Sequence, residues 1–209
     1  MEKRISVAPM MGQTDRHFRY MISLMAEDVR LYTPMIHAEA IVNSSNNFIK
    51  RENGYQKKVG IQIAGNDPNV VVRAATIIEE HNYNEINLNI GCPSERVQNC
   101  SVGVALMKQP KLVADIVKHL AKVTSLPISI KCRIGVDDYD DYEFLYDFID
   151  QTSSAGCDHF IIHVTSAAFE ELGIMDRHRK VQDALNPAMQ DLSLIHISEP
   201  TRPRLISYA

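Results

Sequence analysis

The chain has 209 residues with 22 basic and 26 acidic side chains, a net charge of −4 that excludes a polybasic nucleic-acid arm. Its 45% hydrophobic and 23% charged content is that of an ordinary globular protein, neither disordered nor fibrous. No uncharged apolar run approaches the roughly 18 to 20 residues of a membrane span and residues 1–6 lead into no apolar signal core, so no membrane association and a cytoplasmic location are expected.

In chain order, apolar β-rich runs at 5–8, 29–35, 59–64, 85–90, 128–133 and 159–164 predict six strands. Stretches with helical spacing lie between them. Asp67-Pro68 reads as an N-cap with proline at the first helical position, ahead of Val70, Ala74, Ile77 and Ile78 on one face. Residues 111–122 carry Leu112, Val113, Ile116, Val117 and Leu120 at helical spacing, and residues 142–152 do the same with Phe144, Leu145, Phe148 and Ile149. Asp137, Asp138, Asp140 and Asp141 read as acids before a helix rather than a metal loop. His159 and His163 are four apart on a strand, roughly 13 Å along it, too far to share a metal. Cys92, Cys100, Cys132 and Cys157 form no C-x-x-C pair, so they read as free thiols with no zinc site. Strands alternating with helices indicate repeated βα units and a parallel sheet.

Alternation along the strands sorts their faces. Ile61 and Ile63 oppose Gln62; Ile86, Leu88 and Ile90 oppose Asn87 and Asn89; Ile128, Ile130 and Cys132 oppose Ser129, Lys131 and Arg133. With helices covering the apolar faces, Gln62, Asn89, Lys131 and His163 fall on the inner face near the C-terminal strand ends, the catalytic mouth of a closed βα barrel. A lysine inside a barrel is costly unless it meets something anionic or electron-rich. The competing readings are a strand-end lysine reaching solvent and a structural histidine. After the fourth strand, Asn89-Ile90-Gly91-Cys92-Pro93 presents a cysteine at that mouth, as a nucleophile, a proton donor or a buried loop residue.

Residues Val7-Ala8-Pro9-Met10-Met11, Thr14-Asp15-Arg16-His17-Phe18-Arg19, Gln62-Ile63, the run 85–93 continued by Ser94-Glu95-Arg96-Val97-Gln98-Asn99, and Lys131-Cys132-Arg133-Ile134-Gly135 resemble the tRNA-dihydrouridine synthases. The A-type (20/20a) branch is the nearest. The resemblance runs from about Arg4 to His163, and it implies a TIM (βα)8 barrel, incomplete here at about six of eight units. It further implies FMN and NADPH as cofactors, uridine of the tRNA D-loop as substrate, and a monomer. NADPH would reduce the flavin, which passes a hydride to C6 of an extruded uridine while Cys92 protonates C5. Pro9, Met10 and Met11 would approach the flavin through their backbone, Gln62 would bond its ring, Lys131 would face its pyrimidine edge, and His163 would lie near ribityl and phosphate. Asn89 and Arg133 would contact the substrate tRNA.

The sequence departs from that family at Gly12-Gln13, at Cys100-Ser101-Val102 in the loop supporting substrate, and at Thr165 where an arginine is usual. Residues 1–165 are expected to form the N-terminal part of the barrel and 166–191 a divergent segment. Residues 192–209 resemble a translated sequencing adapter and are expected to be an artefactual tail, not a folded element. The last two strands, with the FMN phosphate site and the C-terminal helical tRNA-binding domain, are expected to be absent, leaving the chain impaired. Two other readings stay open: an FMN-dependent barrel reductase of a small molecule such as a pyrimidine, and a non-catalytic truncated barrel.

Overall fold

The computed structural model describes residues 6–44, 49, 52–53, 58–165, 176 and 194–198. Its strands are β1 (Ser6–Val7), β2 (Arg30–Tyr32), β3 (Ile36–His37), β4 (Val59–Ala64), β5 (Glu85–Asn89), β6 (Ile128–Arg133), β7 (His159–Thr165) and β8 (Leu194–Ser198). All pair in parallel in the order β1-β2-β4-β5-β6-β7-β8, with β3 also on β4. The helices are α1 (Arg16–Met25), α2 (Ala38–Asn43), α3 (Pro68–Glu79), α4 (Glu95–Gln98), α5 (Pro110–Val123) and α6 (Tyr142–Ser154). The result is an incomplete βα barrel whose strands alternate with covering helices.

The outer face of the sheet is the apolar one. Ile61, Ile63, Ile86, Ile128, Ile130 and Cys132 are buried beneath Ala74, Ala75 and Ile78 of α3 and Val113, Ile116, Val117 and Leu120 of α5. Helix α3 packs between α2 and α5, and α5 packs against α6. Each such isoleucine or leucine contributes roughly 1.5 to 3 kcal/mol when fully buried. That layer carries the stability and leaves the inner face free to be polar.

The expected helix starts hold. The Asp67 side chain accepts from the Asn69 amide at 2.8 Å with Pro68 at the first position, and Asp141 accepts from the Phe144 amide at 2.7 Å. The remaining acids stay at the surface, where Asp137 pairs with Lys108 at 2.5 Å.

Two features differ from expectation. The strand expected over 29–35 breaks after Tyr32 and resumes as β3, because Pro34 has no amide to donate. Across the break, Thr33 supplies its own hydroxyl: the Gln62 amide donates to Thr33 Oγ1 at 3.0 Å, keeping β4 satisfied. The second difference is β8. Leu194–Ser198, expected not to be a folded element, lies parallel to β7 with Ile161 opposite Leu194 and Thr165 opposite Ser198. The physical reason is the exposed edge of β7, whose unpaired amides and carbonyls accept an apolar β-branched run. The divergent segment 166–191 lies outside the described residues apart from Asp176.

Candidate functional site

Where the strands end, the loops after β1, β2 and β5 and the ends of β4, β6 and β7 enclose a cavity of about 530 Å³. Every residue singled out from the sequence lines it: Pro9, Met10, Met11, Gln62, Asn89, Cys92, Lys131, Arg133 and His163. Seven more share the wall: Gly91 and Pro93 beside Cys92, and Met35, His37, Ser94, Arg96 and Val97, to which the sequence assigned no site role. Ser94 and Arg96 belong to the motif following Cys92 and could have been found there; Met35 and His37 depend on how the chain resumes after Pro34.

The loop after β1 is shaped by Thr14, which is fully buried. Its hydroxyl accepts from the Met10 amide at 3.0 Å and donates to the Met10 carbonyl at 3.1 Å, so Pro9–Met11 is held from beneath. Gly12 and Gln13, where the chain departs from the family, lie exposed in the adjoining turn.

The loop after β5 is held more tightly. Asn89 turns its Oδ1 back to accept from the amides of Gly91 at 3.3 Å and Cys92 at 3.1 Å. A side chain at Gly91 would meet the backbone of Lys131 and Cys132 at 3.2 to 3.3 Å, a tight fit, so glycine lets the loop lie against β6 without displacing that strand. Arg133 fastens the same turn by donating from Nε to the Gly91 carbonyl at 2.8 Å. Further on, the Val104 amide donates to the Cys92 carbonyl at 3.0 Å, and Gly103 at φ +68° closes the loop where any Cβ would strike Val97 and that carbonyl. Cys92 is therefore fixed through its amide, its carbonyl and both flanking turns. Its thiol is half-buried, with Sγ 3.4 Å from Ser94 Oγ. Beyond it, Cys100 is exposed, Ser101 takes φ +54° and Val102 is buried.

Lys131 stands half-buried on β6. Burial pushes its amine down to about 8, and among the described residues no carboxylate pairs with it. Its neighbour Cys132 faces the outer core, where burial pushes the thiol up to about 12; Cys157, also buried, is raised further. The inner face below the cavity is polar as well. Gln62 and Asn87 are buried and bonded Nε2 to Oδ1 at 2.7 Å, and Asn89 Nδ2 donates to Gln62 Oε1 at 3.0 Å. At the N-terminal end of the strands, the Glu85 carboxylate meets Arg30 at 2.8 Å, Tyr32 OH at 2.8 Å and His159 Nε2 at 3.0 Å, and it also accepts from Ser129. Burial alone would raise the Glu85 carboxyl, but the bonds and charge of His159, with Ser129 and Arg30, outweigh it and hold it below the ordinary range.

A cation with no carboxylate partner among the described residues, a thiol and the side-chain amides of Gln62 and Asn89 share one cavity at the C-terminal mouth of a parallel βα barrel, the place where barrels of the enzyme class build their sites. Similarity to known proteins narrows the class. A model of the dihydrouridine synthase (Dus) family matches residues 6–185, and the chain belongs to that family. It is 44% identical over 164 residues to a tRNA-dihydrouridine(20/20a) synthase of Xanthomonas campestris pv. campestris, covering 78% of this chain and 49% of the relative. To the protein of the same name from Escherichia coli it is 45% identical over 165 residues, covering 78% and 48%. The chain thus spans about half the length of the relatives it matches.

Proposed function

We propose that the chain is the cofactor-binding portion of a tRNA-dihydrouridine(20/20a) synthase, a cytoplasmic, monomeric flavoenzyme that uses FMN and NADPH to reduce the 5,6 double bond of a D-loop uridine. The observation that carries this reading is Lys131, a half-buried cation with no carboxylate partner among the described residues, in the same cavity as the Cys92 thiol. Such a cation is costly by itself and suits an electron-rich ring that gains negative charge on reduction. The cavity volume lies within the usual range of roughly 300 to 1,000 Å³ for small-ligand sites.

The residues present fit a flavin. Gln62 would offer an amide to the ring, Pro9–Met11 would supply backbone and thioether surface, and His163 would serve the ribityl and phosphate. When bound, the flavin supplies the hydride that reaches C6 of the uracil. Cys92 holds a proton on Sγ and gives it to C5, so the double bond gains one hydride and one proton and the thiol is left as thiolate. Solvent then returns the proton. The thiol must carry its proton at the start of this step. Asn89 keeps the sulfur in place through the loop amides, while Arg133 and Asn89 meet the extruded nucleotide.

The domain plan proposed with this function is a barrel portion over residues 1–165, a divergent segment over 166–191 and a tail of foreign origin over 192–209. Reading the parent locus from genomic DNA tests the last point. For the function, the test is to purify the chain, record bound-flavin absorbance, then supply NADPH with tRNA or with free uridine. This chain is expected to take up flavin only weakly, and what dihydrouridine forms is expected in tRNA and not as the free nucleoside. Reduction of free uridine in preference to tRNA would replace this reading with that of a small-molecule reductase.

A further inference from the structure

The inner face of the barrel carries one continuous line of side-chain hydrogen bonds, and its direction is forced. Arg30 can only donate, so it takes one oxygen of Glu85. The other oxygen accepts from Tyr32 and Ser129 and lies 3.0 Å from His159 Nε2. Ser129 has a single hydroxyl hydrogen, given to Glu85, and must therefore accept from Asn87 Nδ2, which lies 2.7 Å from it. Asn87 consequently turns Oδ1 to Gln62, Gln62 turns Oε1 to Asn89, and Asn89 turns Oδ1 to the amides of Gly91 and Cys92. Every link from Cys92 down to Glu85 donates in the same sense.

We propose that Glu85, at the end of the barrel remote from the cavity, is a positioning residue that fixes the hydrogen-bond polarity of Gln62 and Asn89. With this polarity Gln62 turns its oxygen to Asn89 and one N–H to Asn87, so the remaining N–H is the donor it keeps for a ligand. A ligand atom meeting that N–H is accordingly an acceptor. Asn89 in turn is committed to holding the Cys92 loop. This inference concerns the protein before any ligand binds and stands whether or not the function proposed above is correct.

Glu85→Gln reverses the logic. Arg30 still demands an oxygen, so the new amide nitrogen faces Ser129, whose hydroxyl must then donate to Asn87. Asn87, Gln62 and Asn89 are driven to flip in sequence, and a donor of Asn89 ends against the donors of Gly91 and Cys92. Adding Asn87→Asp removes the conflict: a carboxylate at 87 accepts from both Ser129 and Gln62, and the links above it regain their direction. If Glu85 served only as a structural ion-pair partner, a second buried carboxylate at 87 would bring no recovery.

The test is residue-resolved amide hydrogen exchange on the full 209-residue chain without ligand, comparing Gly91 and Cys92 with ladder amides of β4 and β6. In Glu85→Gln the two loop amides are expected to exchange about tenfold faster relative to the ladder, and in Glu85→Gln with Asn87→Asp to return to within about threefold of the parent. Ser129→Ala guards against misfolding of the Glu85 variants, because it cuts one link and leaves Glu85 with Arg30, Tyr32 and His159; about threefold faster loop exchange is expected there. The proposal is overturned by loop amides that are unprotected in the parent chain, by a double variant no better than Glu85→Gln, or by Ser129→Ala at the parent rate.

Discussion

The two ends of the barrel interior use the same strands and the same inward-facing positions, yet they are built in opposite ways. At the floor, Glu85 gathers Arg30, Tyr32, His159 and Ser129, so its charge is answered from several sides. At the mouth, Lys131 has no carboxylate among the described residues and Cys92 borders an open cavity. The floor is a saturated cluster that holds strands in place, whereas the mouth keeps chemical capacity unspent at the expense of stability. Their responses to pH have opposite signs. Glu85 is held below its ordinary range, so its contribution is present above the unfolded carboxyl value and is lost as the pH falls through the folded one. Lys131 is lowered to about 8, so its burden is present below that pH and lifts as the pH rises toward the ordinary lysine value.

The sharpest way to break this contrast is Glu85→Ala. Arg30 and His159 would lose their buried partner, and a loss of about 3 to 5 kcal/mol is expected from urea unfolding at neutral pH. A change under about 1 kcal/mol would mean the floor is not saturated in the sense described. Next in size is Lys131→Met, which removes a strained cation and keeps an apolar stem. It is expected to stabilise the ligand-free chain by on the order of 2 kcal/mol at pH 7, after discounting for partial exposure, while abolishing flavin uptake. Because only the parent chain titrates here, the gap should close as the pH is raised from about 8 toward about 10.5. A gap that widened with pH would contradict the assignment. The smallest stability effect is expected for Cys92→Ala, within about 1 kcal/mol of the parent. In a catalytically complete enzyme that variant should leave flavin reduction by NADPH intact and eliminate dihydrouridine; normal turnover on tRNA would remove Cys92 from the proton-donor role.

Much of this arrangement was legible in the residues because strands encode their two faces locally. Alternation around Gln62, Asn89 and Lys131 separated the inner face from the outer, and family motifs supplied the loop residues, so nine positions spread over the chain met in one cavity. The floor escaped notice for a different reason. Joining Glu85 to Arg30 and His159 depends on the parallel registers of strands far apart in sequence, which no local pattern reveals. Helix α1 was missed because its hydrophobic pattern is inverted: its one fully buried side chain is Arg19, bonded to the Thr14 carbonyl at 2.6 Å, while Met21, Leu24 and Met25 are exposed. The Asp15 cap, which accepts from the His17 and Phe18 amides, was the signal available there. The short helix α2 has no side-chain cap to announce it.

The four thiols sit at graded depths, with Cys100 outside, Cys92 at the cavity wall, and Cys132 and Cys157 within the core. That grading turns the chain into its own ruler for covalent labelling. At mildly alkaline pH the two core thiols stay protonated and shielded, so an alkylating reagent counts one adduct for an accessible loop and two for an accessible cavity. Four adducts appear only when the sheet itself has come apart. Intact-mass spectra of a single sample would therefore separate ligand occupancy from global unfolding, with Cys92 shielded by whatever fills the cavity and Cys100 serving as the internal standard.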